Sequence, residues 1–538
     1  MLRATFLVLL LSFTLLQVDL LKFHFQKPGL GQSTLAATRA EDIKQKLKEA
    51  HSDYIRWGFP ADEVAPLSKN GSNTLNGWGA TLVDSLDTLY MMGLHDEFED
   101  GLKKTAKIDF SRSYVNQLTS VVYTPQCQQT VSIFETTIRY LGGILTAYEL
   151  TGQTRKDLLD RAHQLGNKLA YGWSNSSHPI PYGFLNFTTN KPIIDTTNIA
   201  EAGTLILEFD RLSHYTGNDT FRALADKTMK ALMNLPNEFP GLPSREIYPG
   251  NSSFVGDYIT WGGGIDSYFE YLLKYAMLVD NRDPRYLEEW KKAVYSSIKH
   301  LLTVSNGHTY LAAYSKSRKG LQYVVSHFEC FVGGNWLLGG KFIGDETIVK
   351  YGLQLIDTCM YTYTSTETGL GPVVFRFLGP NGEVTGPNMT AQDQAFNKKH
   401  GFYISAADYL LRQVSSIKFS LKVFNTLKLI KVTICLNFRP EVLESVFYAW
   451  RMTGDERYQE FAWSTFKALN KYCKAPASYA SILYVNDAKN VTQIDDSESF
   501  LFSETFKYLY LIFAPASHFS LDEYVFNTEA HPYRYNGC

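Results

Sequence analysis

The sequence has few cysteines and almost no net charge, and each shortage excludes a class of protein. Six cysteines among 538 residues are too few for a disulfide-stabilised scaffold. None of them stands in a C-x-x-C pair, so zinc-ribbon and thioredoxin-like sites lack their ligands. A formal net charge of −2 provides no overall attraction to nucleic acid or to anionic membranes. The 45% of hydrophobic residues is ample for a large core.

The N-terminus also lacks a long apolar run. One arginine precedes the apolar stretch Phe6–Gln17, and Asp19 then interrupts it, short of the ~20 residues that a membrane-spanning helix needs. This pattern predicts a signal peptide or signal anchor over residues 1–22, a polar linker over 23–40 and one folded domain over 41–538. We therefore expect a protein of the secretory pathway, in the Golgi or endoplasmic reticulum lumen or secreted.

Seven N-x-S/T triplets agree with that compartment, because such triplets accept N-linked glycans in the secretory pathway. They begin at Asn70, Asn175, Asn186, Asn218, Asn251, Asn388 and Asn490.

Helices that open near a carboxylate recur along the chain. Their starts, at positions 135, 199, 266, 441 and 498, fit a unit of two helices per about 60 residues, with the long gap counted as about three units. Several of them end at a Thr-Gly pair, where glycine suits a helix C-cap. A ring of helical hairpins, with short β-hairpins in its loops, explains this pattern better than a linear solenoid. Such a ring would collect the carboxylates at one end of a shared cavity.

Four carboxylates stand in apolar or glycine-rich surroundings: Glu135, Asp266, Glu441 and Glu498. Paired carboxylates in a partly closed cavity can act as general acid and base, because their environments drive their pKa values apart. Hydrolysis of a glycosidic bond uses this arrangement. A carboxylate in the first turn also stabilises its helix, so a purely structural role stays open for each of the four.

The C-terminal segment Val525–Pro532 is unusually polar for a segment that follows an apolar helix. Thr528 can offer both its hydroxyl and its carbonyl oxygen to a hard cation, and Ca²⁺ takes about 6–8 oxygen ligands, many of which can be water. His531 is a further candidate ligand or acid–base group, with a structural role as the alternative.

Eight segments, in this order along the chain, resemble the class I α-mannosidases of glycoside hydrolase family 47. The resemblance extends from about Tyr54 to Pro532. The segments are Gly77–Leu94, Phe134–Gly143, Ile199–Phe209, Gly262–Lys274, His327–Gly334, Arg439–Ser445, Glu498–Tyr508 and Phe526–Pro532.

The resemblance implies an (α/α)7 barrel, dominated by α-helix, with the active site at its floor and a C-terminal hairpin that plugs the other end. It implies a monomer that removes terminal α-1,2-linked mannose from high-mannose N-glycans by an inverting mechanism. It also implies a Ca²⁺ ion held by Thr528 and by waters, and a disulfide between Cys330 and Cys359.

The same resemblance assigns roles to single residues. Glu135 resembles the catalytic acid, Glu441 the base that activates water, and Asp266 is the competing assignment for a catalytic role. Residues that match sugar-binding or water-binding positions are Arg139, Glu201, Arg439, Glu498 and Glu529.

Two departures from the family pattern affect the expected function. Gly264 stands where the subgroup that removes a single mannose has an arginine, so we expect a more open cavity and trimming of Man9 or Man8 toward Man5. Residues 411–437 form a basic, apolar insertion directly before Arg439 and Glu441, either a surface loop or the translation of an unspliced intron. The alternative function is that of a related glycan-binding quality-control lectin with little hydrolysis.

Overall fold

The computed structural model describes residues 24–113, 130–174, 179–406 and 440–535. The predicted leader over 1–22, the insertion over 411–437 and Arg439 lie outside these residues. Within the described residues, no helix combines the length and the apolar character that crossing a membrane requires.

Seven inner helical segments of the described residues form a ring, and neighbouring segments pack on one another until the last meets the first. Two of them contain a π-helical stretch, and one begins with a 3-10 turn. The inner segments are Ala80–Asp84 with Leu86–Met91; Ile133–Glu135, Thr136–Leu141 and Gly142–Leu150; Ile199–Gly203 with Ile206–Thr216; Asp266–Leu278; His327–Cys330 with Phe331–Ile343; Glu441–Thr453; and Leu501–Thr505 with Phe506–Phe513.

Seven outer helices surround this ring, each packed on an inner segment, which confirms the (α/α)7 barrel. The first outer helix packs on the last inner segment and so closes the circle. The outer helices are Thr34–Trp57, His95–Thr105, Lys156–Leu169, Thr220–Met233, Pro284–His300, Glu346–Thr364 and Arg457–Tyr472. A further helix, Ala391–His400, and the 3-10 turn Ala170–Trp173 lie in the connections.

Burial explains which helices are inner and which are outer. In the inner helix Asp266–Leu278 every residue after the first is buried, as expected of a helix enclosed by others in the core of a large domain. The outer helix Lys156–Leu169 buries only one face, which includes Leu158, Ala162 and Leu165. Gly217 and Gly454 end their helices in the left-handed conformation, as the Thr-Gly pairs predicted.

The repeat count needs one correction. The gap between the helices that start at 266 and 441 contains one further inner segment, at His327–Ile343, and therefore two units in place of the three expected. The rest of the gap is filled by short strands, the helix Ala391–His400 and residues outside the described part.

Short antiparallel pairs and three-stranded sheets connect the helices. Strands run directly into the inner segments that begin at Ile133, Ile199 and His327, so hairpins surround the end of the barrel where inner helices start. The strands are Glu63–Ala65, Asn70–Ser72, Thr130–Ser132, Phe184–Asn186, Lys191–Pro192, Thr197–Asn198, Glu246–Tyr248, Ser253–Phe254, Tyr258–Ile259, Leu302–Ser305, His308–Leu311, Ala313–Ser315, Gly320–Gln322, Val324–Ser326, Val374–Phe377, Phe402–Ala406, Ser481–Ile482, Gln493–Ile494, Tyr524–Phe526 and Pro532–Arg534.

The segment before the first helix packs on the barrel. The first helix starts at Thr34, inside the range predicted as linker. The Phe25 amide donates to Asp522 Oδ1 at 2.6 Å, and the Lys27 amide donates to the Arg451 carbonyl at 2.8 Å. Arg451 is fully buried and also donates to Gln26 Oε1 at 2.7 Å.

The C-terminal hairpin, strands Tyr524–Phe526 and Pro532–Arg534, enters the ring and is held there by buried charges. Lys507 Nζ lies 2.9 Å from Asp87 Oδ2 and donates to the Ala530 carbonyl at 2.7 Å. His531 bridges two aspartates, with Nδ1 3.0 Å from Asp87 Oδ2 and Nε2 3.2 Å from Asp84 Oδ1. All four charged side chains are inaccessible to solvent.

Burial lowers the pKa of the His531 imidazole, but the nearby carboxylates of Asp87 and Asp84 raise it by more. The net effect is a raised pKa. The tip of the hairpin is thus fixed to two inner segments by charge-assisted hydrogen bonds.

We predict that Lys507→Met destabilises the fold by about 3–5 kcal/mol, because removing one partner leaves Asp87 buried beside His531 alone. Thermal or urea unfolding of the purified variant would measure the loss. The matched control is Arg285→Ala, which breaks an exposed pair with Asp283 and should leave the unfolding midpoint unchanged. Equal midpoints for Lys507→Met and the wild type would show that the cluster does not hold the hairpin.

Candidate functional site

A cavity of about 120 Å³ opens among the starts of the inner helices and is walled by acidic side chains. That volume accommodates several water molecules. Eight of its lining residues carry carboxyl groups: Glu135, Asp266, Glu270, Glu441, Glu444, Glu498, Glu504 and Glu529. Phe134, Phe328, Phe331 and Phe500 supply apolar faces between them.

The structure brings together most of the residues that the sequence proposed for a site. Those that line the cavity are Glu135, Arg139, Asp266, Glu441, Glu498, Thr528 and Glu529. Glu201 is buried in the helix that begins at Ile199, where its Oε2 accepts a hydrogen bond from Thr197 Oγ1 at 2.7 Å. Burial raises the pKa of Glu201, and the negative charge of Glu135 adds to the rise. The predicted disulfide between Cys330 and Cys359 is present.

Arg139 joins the carboxylates of three different elements. Its Nε donates to Glu135 Oε2 at 3.0 Å, and Nη1 lies 3.4 Å from Asp84 Oδ2 and also pairs with Glu529. Its guanidinium stands over the Phe500 ring at 5.4 Å. Burial disfavours the charge on Arg139, but Glu529, Glu135 and Asp84 outweigh burial and hold its pKa well above the usual value. The arginine therefore fixes the orientation of Glu135 relative to the hairpin.

His327 orients Glu441. The imidazole is buried, with Nδ1 2.9 Å from Glu441 Oε2 and Nε2 2.7 Å from the Tyr363 hydroxyl. If the ring proton is on Nδ1, the imidazole donates to Glu441 and accepts from Tyr363, which satisfies all three groups. An ionised Glu441 held in this way can accept a proton from water in the cavity.

One wall of the cavity depends on Asp62, which is fully buried. Its Oδ2 accepts backbone hydrogen bonds from Leu75 at 2.9 Å and Gly77 at 2.7 Å, and its Oδ1 accepts one from Trp78 at 2.9 Å. Oδ1 also accepts from the Tyr140 hydroxyl at 2.8 Å. The Asp62 side chain thus holds the loop that places Leu75 in the cavity wall. Through Tyr140 it also connects this loop to the helical segment that follows Glu135.

Three carboxylates of the cavity, Glu270, Glu444 and Glu504, were not among the predicted site residues. The signal was helical spacing, since Glu270 follows Asp266 by four positions and Glu444 follows Glu441 by three, which puts each pair on one helix face. Lys274 was not predicted either; its Nζ pairs with Glu270 and lies 3.3 Å from Glu444 Oε1. The Lys274 side chain is 1% exposed. Water therefore cannot screen the carboxylates beside it, and the ammonium group offsets their negative charge.

The concentration of buried acids favours protonated carboxyl groups. Burial raises the pKa of Glu504 well above its usual value, and the charges of Glu529 and Glu441 raise it further. Burial also raises the pKa of Glu529, against the effect of Arg139. Such a cavity can both donate protons and attract a cation.

The donor set suits a hard cation bound largely through water. Within the described residues, no group of three or more His, Cys, Asp or Glu side chains is arranged to hold a metal ion by itself. Thr528, at the tip of the hairpin, lines the cavity together with Glu498, Glu504 and Glu529. Oxygen-only ligands with carboxylates that can hold bound water fit Ca²⁺ better than zinc or copper.

Comparisons with known proteins agree with this geometry. The model of glycosyl hydrolase family 47 matches residues 46–535. The mannosyl-oligosaccharide alpha-1,2-mannosidase 1B of Aspergillus oryzae is 34% identical over 536 residues, 95% of each chain. The mannosyl-oligosaccharide alpha-1,2-mannosidase of Coccidioides posadasii is 35% identical, covering 93% of this chain and 92% of that protein. The solved alpha-1,2-mannosidase from Trichoderma reesei is 30% identical, with a TM-score of 0.82 over 94% of this chain and 100% of that one.

Glu208 supports the hairpin from beneath the cavity. Its Oε1 accepts hydrogen bonds from Asn527 Nδ2 at 2.8 Å and from the Tyr271 hydroxyl at 2.7 Å. Burial raises its pKa from 4.5 to about 7, although both hydrogen bonds lower it. The folded state therefore keeps a proton that the unfolded state releases near pH 4.5.

We predict that this residue makes the fold less stable as pH rises from 4.5 to 7, because the folded state binds the extra proton over that interval. The loss amounts to at most about 3 kcal/mol. Glu208→Gln removes it, so the stability of the variant relative to the wild type should improve steadily across this range and then level off. Unfolding curves of both proteins at several pH values measure this, and a constant difference would contradict the assignment.

Proposed function

Because the chain belongs to glycosyl hydrolase family 47, we propose that it hydrolyses terminal α-1,2-linked mannose from high-mannose N-glycans and trims Man9 or Man8 toward Man5. The observation that supports this best is a cavity with eight carboxyl groups around the Thr528 tip of the hairpin. Hydrolysis of a glycosidic bond requires one acid for the leaving oxygen and one base for water, and the cavity supplies candidates for both.

Glu135 is the proposed acid. Arg139 fixes its Oε2 at 3.0 Å, so the carboxyl group is held in one orientation at the cavity wall. In the inverting reaction Glu135 donates a proton to the leaving glycosidic oxygen, directly or through one water.

Glu441 is the proposed base. Its Oε2 lies 2.9 Å from His327 Nδ1, which stabilises the ionised carboxylate that must accept a proton from the attacking water. Asp266 is the competing base, since it also lines the cavity and begins an inner helix. Water delivered from one face while the leaving oxygen departs from the other inverts the anomeric centre.

Ca²⁺ is the proposed cofactor, held by the hydroxyl and carbonyl oxygens of Thr528 and by waters. When bound, the ion would orient hydroxyl groups of the terminal mannose. Glu498, Glu504 and Glu529 line the same cavity and offer carboxyl oxygens to waters around the ion. Glu529 additionally pairs with Arg139, which couples the cation site to the proposed acid.

A monomer of the secretory pathway is the proposed context. Of the predicted glycan acceptors, Asn70, Asn251, Asn388 and Asn490 are exposed and Asn186 and Asn218 are half-buried, so none of these six is buried. Asn175 lies outside the described residues. Substrates are N-glycans on other glycoproteins, and a membrane contact would come only through the leader.

We predict that Glu135→Gln lowers mannose release from Man9GlcNAc2 by about 10²–10⁴-fold, because the amide cannot donate the required proton. Binding of Man9GlcNAc2 should stay within about threefold, since the amide keeps the shape and can still contact Arg139. The matched control is Glu149→Gln, on the same inner segment but at its far end, which should keep wild-type turnover. Wild-type rates in Glu135→Gln would refute the acid assignment, and glycan binding without any mannose release by the wild type would identify a lectin.

We further predict that EDTA abolishes mannose release and that Ca²⁺ restores it. Thr528→Ala should require at least tenfold more Ca²⁺ for half-maximal rate, whereas Thr453→Ala, at the far end of the helix that begins with Glu441, should not. A second readout is thermal unfolding, since calcium at about 100 times its Kd should stabilise the wild type by about 2.7 kcal/mol. Full activity after exhaustive chelation would exclude a metal requirement.

A further inference from the structure

Arg245 is fixed at the rim of the barrel, between the starts of two inner helices. Its amide donates to the Tyr258 carbonyl at 2.9 Å, and its carbonyl accepts from the amide of Ile199 at 3.0 Å. Ile199 begins the helix that contains Glu201. The backbone of Arg245 is therefore held by the same hairpins that surround the cavity end of the barrel.

The Arg245 side chain lies on Gly264, two residues before Asp266. A Cβ built at position 264 would stand 3.0 Å from both Cγ and Cδ of Arg245. The backbone of Gly264 has φ +94°, which disfavours any other residue. The space beside Gly264, which we expected to be open, is thus occupied by an arginine that immediately precedes the strand Glu246–Tyr248.

The guanidinium is held flat and partly exposed. It stands over the Tyr258 ring at 5.3 Å, and Nη2 donates to Glu246 Oε1 at 2.7 Å. The Arg245 side chain remains 37% exposed. A guanidinium carries five N–H donors in a rigid plane, and the hydrogen bond to Glu246 uses one of them.

We propose that Arg245 binds mannose residues of the glycan beyond the two that share the cleaved bond, and so determines which branch is trimmed first. This inference rests on the proposed function. A cavity of about 120 Å³ is far smaller than a branched high-mannose glycan, so the other mannose residues must lie over the rim. Hydroxyl and ring oxygens of these sugars are acceptors for the guanidinium, and the Tyr258 ring and Glu246 hold that group in place.

The test compares a branched and a minimal substrate. Man9GlcNAc2 reaches the rim, whereas α-1,2-mannobiose contains only the terminal mannose and the sugar that carries the leaving oxygen. For Arg245→Ala we expect kcat/KM on Man9GlcNAc2 to fall about tenfold, as for the loss of a charge-assisted hydrogen bond. The rate on mannobiose should change less than about twofold, and the order of the Man8 isomers should change. Arg245→Lys should give an intermediate loss.

Arg318→Ala is the matched control, because Arg318 also stands over the Tyr258 ring at 5.3 Å but is not the residue that packs on Gly264. It should keep the wild-type order of isomers. Equal losses on both substrates in Arg245→Ala would reveal a structural role and overturn the proposal, as would an unchanged rate and isomer order on Man9GlcNAc2.

A wild type that cleaves neither substrate would refute the proposed function. Calorimetric binding of Man9GlcNAc2 to Glu135→Gln, with and without Arg245→Ala, then decides the inference alone. About tenfold weaker binding in the double variant supports it, and equal affinity overturns it.

Discussion

The buried charge cluster of Asp84, Asp87, Lys507 and His531 determines where the tip of the C-terminal hairpin lies, and with it the proposed cation site. Burying charged groups in an apolar ring of helices costs free energy, and the fold recovers it only while each charge faces an opposite one. The cluster requires the hairpin tip to stand between two inner segments. Thr528 and Glu529 belong to that tip, so the position of the proposed cation site follows from ion pairing deeper in the barrel. Asp84 also reaches Arg139, and through it Glu135.

Burying so many carboxyl groups around one cavity costs free energy, and two buried cations offset part of that cost. Arg139 and Lys274 each face several carboxylates, and both are almost inaccessible to solvent. Neither cation balances the whole set, so some carboxyl groups keep their protons and the remainder can hold water around a divalent ion. Two π-helical segments, Thr136–Leu141 and Leu501–Thr505, widen the inner helices at this level. Such segments are frequent at functional sites, and here they follow Glu135 and contain Glu504.

The sequence predicted the helical ring and much of the cavity because both depend on local patterns. Carboxylates that open apolar helices are visible in one window of sequence, and helix starts of an α/α barrel face the same end. Glu270 and Glu444 stand three or four positions after predicted site residues, so this local spacing could also have predicted them. The partners of these residues could not be predicted, since His327 and Glu441 are 114 positions apart, and Arg139 and Glu529 are 390 apart.

Arg245 illustrates the same limit for specificity. A glycine at position 264 predicts open space, because the sequence shows only that this position has no side chain. The structure shows that the Arg245 side chain, from the residue just before a strand about twenty residues upstream, fills that space. Which side chain lies on a glycine depends on sheet pairing, and the three-stranded sheet that follows Arg245 combines strands from two different loops.

The attachment of the N-terminal segment sets an orientation for the whole molecule. Phe25, Gln26 and Lys27 dock beside Arg451, which is ten residues beyond Glu441 on one inner helix, or about 15 Å along its axis. The polypeptide thus joins the barrel at the end away from the carboxylates. An attachment made at Phe25 would therefore lie at the end of the barrel opposite the cavity, which makes this point suitable for immobilising the enzyme on a surface with its opening toward solution.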